Sequence, residues 1–108
     1  MLRSPLVKGL VIALLLTACT PTMRLAPVID QYERVIYMEP DEVARECWQR
    51  GGRGFGILGC HDEAANVIIV PFPHRVGAAA YRQIRNEEEC HRLGWAADHS
   101  GARPKGCK

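Results

Sequence analysis

The cysteines at positions 47, 60, 90 and 107 restrict this chain more than any other feature. The chain has 108 residues, which bounds it to one small domain. Its beginning is not fold. Residues 1–8, MLRSPLVK, carry Arg3 and Lys8, and residues 9–16, GLVIALLL, are apolar. These are the n-region and h-region of an export signal. The apolar run is too short to persist as a membrane-spanning helix. An even set of cysteines in a small exported domain reads as two disulfides. Three pairings are open to such a set. Cys47–Cys60 with Cys90–Cys107 is preferred, because each bond closes a short loop that contains glycine. A thiolate metal site is disfavoured, since no CxxC pair occurs and an exported protein meets an oxidising compartment. Staples also suit the size: fewer than ~80 residues are left for the domain, and a core of that size is marginal alone.

The fifth cysteine has a different setting. Leu16-Thr17-Ala18-Cys19 directly follows the apolar run. This stretch resembles a bacterial lipobox, which implies cleavage before Cys19 and acylation of that residue. Several acyl chains hold a protein to a membrane where one would not. Thr20 follows, with no aspartate there, and by resemblance to sorted lipoproteins the implied address is the outer membrane, facing the periplasm. The expected organisation is a signal peptide over 1–18, a lipidated tether over 19–31 and a small domain over 32–108. Of 14 basic side chains, Arg3 and Lys8 belong to the signal, so the mature chain balances its 12 acidic ones. That neutrality gives no electrostatic case for nucleic acid.

Along the domain, YERVIYM (32–38) reads as a short strand. PDEVARECWQR (40–50) reads as a short helix with Asp41 as its cap. GGRGFG (51–56) is a flexible loop without the spacing of a phosphate loop. FGILGCHD (55–62) and NVIIVPF (66–72) read as two strands around a turn at 63–65, with VIIV a buried strand. Residues 76–94 form the main helix. On it, Tyr81, Ile84, Glu88, His91 and Trp95 recur at the helical period, and Gly94 is a left-handed stop. The expected fold is a small α+β domain with a short helix, a β-hairpin and one main C-terminal helix, stapled by two disulfides.

The stripe on the main helix begins apolar and ends in Glu and His. The run Glu87-Glu88-Glu89-Cys90-His91 has the length of an HExxH zinc motif, in which two ligands four residues apart face one metal and the glutamate holds the attacking water. Glu88 and His91 match the second and fifth positions, and Glu87 stands where the first histidine belongs. With GWAADHSGAR at 94–103, VIIVP at 67–71 and the cysteines upstream, residues 47–103 resemble small bacterial and phage zincin-like metallopeptidases. The resemblance implies Glu88 as general base and His91 as a zinc ligand. It implies His99, or secondarily Asp98, as a further ligand. Glu87 can replace the missing histidine, because carboxylates bind zinc. A second carboxylate beside the base would lower the net charge at the metal and make its water less acidic. The expectation is therefore a degenerate zincin-like site, weakly active or inactive as a metallopeptidase, with zinc as its metal.

A plainer reading stands beside it. EEE on a helix is commonly a solvated face, with Arg85–Glu89 and Glu88–Arg92 spaced as favourable i, i+4 pairs. His91 suits a helix C-terminus, and Trp95 would be a core anchor. His61 and His74 would be surface residues, though either could complete a site. On this reading the protein is a non-catalytic envelope lipoprotein, a binding or assembly accessory. It would be held to the membrane through Cys19 and partnered by a peptide or an envelope protein.

Overall fold

The computed structural model of the protein describes residues 23–52 and 56–107. The expected signal peptide and lipidated Cys19 lie outside the described residues, as does the start of the tether. The elements in chain order are β1 (Val28–Asp30), β2 (Val35–Met38), α1 (Pro40–Gln49), β3 (Cys60–Asp62), β4 (Val67–Pro71), α2 (Pro73–Val76) and α3 (Ala78–Arg92). The strands form a single sheet in the order β1-β2-β4-β3. β2 and β4 run parallel at its centre, and β1 and β3 flank them antiparallel.

The β-branched run of β4 is explained by burial on both faces, which removes the usual apolar–polar alternation. Val35, Ile68 and Val70 point to one face and pack against Ile84 of α3, with Tyr37 and Tyr81 at the margin. Met38 and Ile69 point to the other and pack against Val43 and Cys47 of α1. The register agrees: Val35 sits beside Ile68, and Cys60 sits opposite Ile69. The sheet is thus the middle of three layers. The small α+β fold, the hairpin β3–β4 and the dominant C-terminal helix are all as the sequence implied. Both disulfides are those preferred: Cys47–Cys60 ties α1 to β3, and Cys90–Cys107 ties α3 to the chain end.

Several local expectations differ, among them the strand over 32–38, which begins only at Val35. Residues 28–30, assigned to the tether, form edge strand β1, paired with β2 from Val28↔Tyr37 to Asp30↔Val35. Three residues without burial alternation carry no strand signature; the partner strand supplies the order. Asp41 is not the cap of α1. Glu39 holds that position without a side-chain cap bond, Pro40 opens the helix, and Asp41 accepts instead from Arg24 at 2.9 Å. The first hairpin strand is shorter than 55–62, beginning only at Cys60.

The two ends of the sheet are built differently. At the end where β2 and β4 finish, the buried Glu39 carboxylate accepts from Arg75 at 3.0 Å and from the Leu25 amide at 3.4 Å. At the opposite end, the Arg92 guanidinium of α3 donates to the carbonyls of Glu33 and Arg34, just ahead of β2. α3 therefore runs from the first end to the second and delivers its polar C-terminal turns there.

Candidate metal centre

α3 stops in a defined way. Gly94 has φ +107°, its amide donates to the His91 carbonyl at 3.0 Å, and the Trp95 amide donates back to the Cys90 carbonyl at 2.9 Å. This paired closure reverses the chain at a residue without a side chain. It folds Trp95 onto the last turn, where its ring stacks on His91 with centroids 5.1 Å apart. The Trp95 carbonyl lies 3.1 Å from His91 Nδ1. A carbonyl can only accept, so Nδ1 carries the proton and Nε2 is left as a lone-pair donor facing outward.

The chain then turns once more. Asp98 accepts from the Ser100 amide at 3.0 Å, and hydrogen bonding to Ser100 holds its carboxyl below the usual carboxylate range. Asp98 thus shapes the turn and stands outside the ligand cluster. His99 sits at φ +63°, a left-handed conformation that histidine adopts more readily than most residues. Its ring stacks on Trp95 at 4.7 Å between centroids and on His91 at 5.0 Å. His99 Nε2 lies 3.1 Å from His91 Nε2 and 3.2 Å from Glu87 Oε1. The donor atoms of Glu87, His91 and His99 all fall within 4.8 Å of one another. This Glu/His/His group lies within liganding distance and could hold a metal ion.

The spacing suits such an ion. Bonds of ~2.0–2.2 Å at tetrahedral angles put neighbouring donors roughly 3.3–3.5 Å apart. The two separations about His99, 3.1 and 3.2 Å, are within a few tenths of an ångström of that, and the Glu87–His91 pair lies within 4.8 Å. His91 also makes the bond that metal-binding histidines commonly make, from the second ring nitrogen to a backbone carbonyl. The cluster faces solvent, with the His99 side chain 51% exposed and Glu87 39% exposed. That leaves room for a further ligand on the open side.

Glu88 is placed apart from the three. It is 6% exposed and packs where Gly59 passes α3; a Cβ on Gly59 would meet Ile84 Cγ2 at 2.9 Å and Glu88 Cγ at 3.4 Å. Burial, with the Glu87 charge added, pushes the Glu88 carboxyl up to about 7. Glu88 nevertheless borders the same open cleft as the cluster, a space of about 1170 Å³ between the end of α3, the Trp95 turn and residues 56–64. His61 also borders it, with its Nε2 buried and unpartnered among the described residues, but it is not in the cluster. His74 meets the Phe72 ring at a tilt of 35° in the α2 segment, beside the Glu39–Arg75 pair and at the far end of the sheet. Arg92, expected to pair with Glu88, turns to Glu89 at 3.4 Å and to the β1–β2 turn instead, while Arg85–Glu89 forms as expected at 3.2 Å.

The structure brings together Glu87, His91 and His99, which the sequence singled out, and adds a residue that sequence reasoning missed. Trp95 is not a core anchor. It is a platform for both imidazoles, with the Arg103 guanidinium 4.7 Å from its ring centroid and its indole N–H donating to the Gly101 carbonyl at 3.3 Å. Its position directly after the Gly94 stop was the available signal. No protein-family model, curated protein or solved structure matches the chain.

Proposed function

We propose that this protein is a lipid-anchored protein of the bacterial envelope whose Glu87–His91–His99 cluster binds a divalent transition metal, zinc foremost. The reading is carried by one observation: the three donor atoms gather within 4.8 Å. A His₂Glu set is one of those that hold zinc while leaving a position for water or substrate. Held by Glu87, His91 and His99, a zinc ion would supply Lewis acidity toward a water or a carbonyl. On the protein side, Trp95 fixes the tautomer and aim of His91, and the left-handed turn at His99 brings in the last ligand. Glu88, at the position of the zincin general base and on the wall of the same cleft, would orient or deprotonate a water there. With Glu87 adding a second negative charge, peptide hydrolysis is expected to be slow or absent.

The test is zinc binding to the purified protein after dialysis against chelator and reloading. Elemental analysis should return one zinc per chain, with His91→Ala and His99→Ala returning none while both variants keep the wild-type far-ultraviolet circular dichroism. Folded wild type that takes up no zinc would overturn the reading. Zinc retained in both histidine variants would do the same.

A further inference from the structure

We infer that the run Met23–Val28 and the end of the sheet it meets form a membrane-contact surface, which holds the metal cluster at the pole farthest from the bilayer. The inference rests on acylation of Cys19 as read from the sequence, and it adds the face that meets the lipid.

The residues that follow the anchor are fastened to one end of the molecule. Arg75 donates to the Met23 carbonyl at 2.8 Å. Arg24 reaches Asp41 and Glu42 in the first turn of α1 at 2.9 and 3.1 Å. The Leu25 amide donates to Glu39. These contacts fix where the chain leaves the domain: at the end where β2 and β4 finish and α1 begins. Cys19 lies four residues before Met23. At ~3.6 Å per residue those four span at most about 14 Å, so the acyl chains cannot carry this end far from the lipid.

The same run is apolar and uncovered. Met23 is 81% exposed, Val28 54% and Leu25 41%. Its cation is spent within the fold, since Arg24 is paired with Asp41 and Glu42. Large apolar side chains beside an acyl anchor gain by entering the headgroup boundary, where a soluble protein would have to keep them in water. The metal cluster stands at the other end. α3 has 15 residues, so at ~1.5 Å each it is about 22 Å long, and Glu87, His91 and the His99 turn belong to its far end. Anchored in this way, the cleft opens into the aqueous space away from the membrane. That favours a water-borne or wall-borne peptide over a lipid as its ligand.

The test uses the full acylated protein in vesicles of phosphatidylethanolamine and phosphatidylglycerol, with or without lipids brominated near the headgroup. In a Trp48→Phe background the native Trp95 reports the metal pole. With Trp48→Phe, Trp95→Phe and Met23→Trp combined, the new indole reports the anchor end. Brominated lipid should remove most of the emission of the Met23→Trp protein and leave that of Trp95 unchanged. Quenching of Trp95, or no quenching of the Met23→Trp indole in protein that floats with the vesicles, would overturn the orientation. Intact mass separates the two readings. A chain without acyl groups overturns the anchor and this inference with it, whereas an acylated, vesicle-bound chain with the wrong quenching pattern overturns the inference alone. The zinc test is independent of both.

Discussion

Glu87 and Glu88 are adjacent carboxylates in different surroundings, and each supports its own prediction. Glu87 is half in water and donates an oxygen to the cluster, 3.2 Å from His99 Nε2. Replacing it by histidine restores the two-histidine spacing and removes one negative charge. Glu87→His should keep zinc bound and raise peptide hydrolysis above wild type, whereas Glu87→Gln should weaken zinc by ~10-fold or more. Chelator competition and cleavage of a quenched fluorescent peptide measure these, and a Glu87→His protein no more active than wild type would show that the carboxylate is not what limits the site. Glu88 is buried, and burial together with the Glu87 charge puts its carboxyl at about 7, against 4.5 when unfolded. A raised carboxyl lets the protein keep its full stability below the unfolded value and lose it as pH rises through the folded one. The loss is at most about 3 kcal/mol. In metal-free protein, Glu88→Gln should therefore gain on wild type between pH 5 and pH 8.5 in urea unfolding. A stability difference that stays constant across that range would rule out the buried, raised carboxyl. This part of the site was legible, because the helical period already puts Glu88 on the stripe of Tyr81 and Ile84. The outward aim of His91 Nε2 was not, since a backbone carbonyl beyond a turn sets it.

α3 and its stop are the element on which the cluster depends. Gly94 has open space around its Cα and φ +107°, so a methyl group there would meet no neighbour and the whole cost would be conformational. Gly94→Ala should cost about 1–2 kcal/mol. It should also weaken zinc, because the Trp95 amide and carbonyl lose their places over Cys90 and His91. Thermal unfolding and zinc titration read both effects. Undiminished zinc affinity in a destabilised Gly94→Ala protein would mean that the turn does not position the ligands. The stop was legible for the reason it works: glycine directly after a periodic apolar face is where a helix can reverse. Other elements could not be read from their residues. Val28–Asp30 is a strand only because the edge of β2 is available to it. The parallel pairing of β2 with β4 joins segments separated by α1 and a hairpin strand, and no local pattern encodes that neighbour. The apolar run VIIV announced burial, but burial against helices on both faces depends on α1 and α3 together.

Across the whole molecule, the two disulfides serve opposite layers and should be separable by function. Cys47–Cys60 closes a separation of 13 residues on the α1 face of the sheet. Cys90–Cys107 closes one of 17 residues, and inside that ring lie Trp95, His99 and Arg103, a stretch without strand or helix beyond the end of α3. Each bond should stabilise the fold by roughly 3 kcal/mol, mainly by restricting the unfolded chain. Only the second also restricts a state that matters for the metal. Glu87 and His91 are fixed by α3 whether or not the tail is attached. His99 is fixed by its stacking on Trp95 and by the covalent closure at Cys107. Open the ring, and zinc must order the tail itself, so part of the closure term becomes a cost of binding. If a half to all of it does, affinity falls by about 10–100-fold. Replacing Cys47 and Cys60 together by alanine should lower the unfolding midpoint and leave zinc affinity as it was. Replacing Cys90 and Cys107 together should lower both. Equal zinc affinity in the two double variants, measured by chelator competition well below either midpoint, would show that stacking on Trp95 alone holds His99 in place.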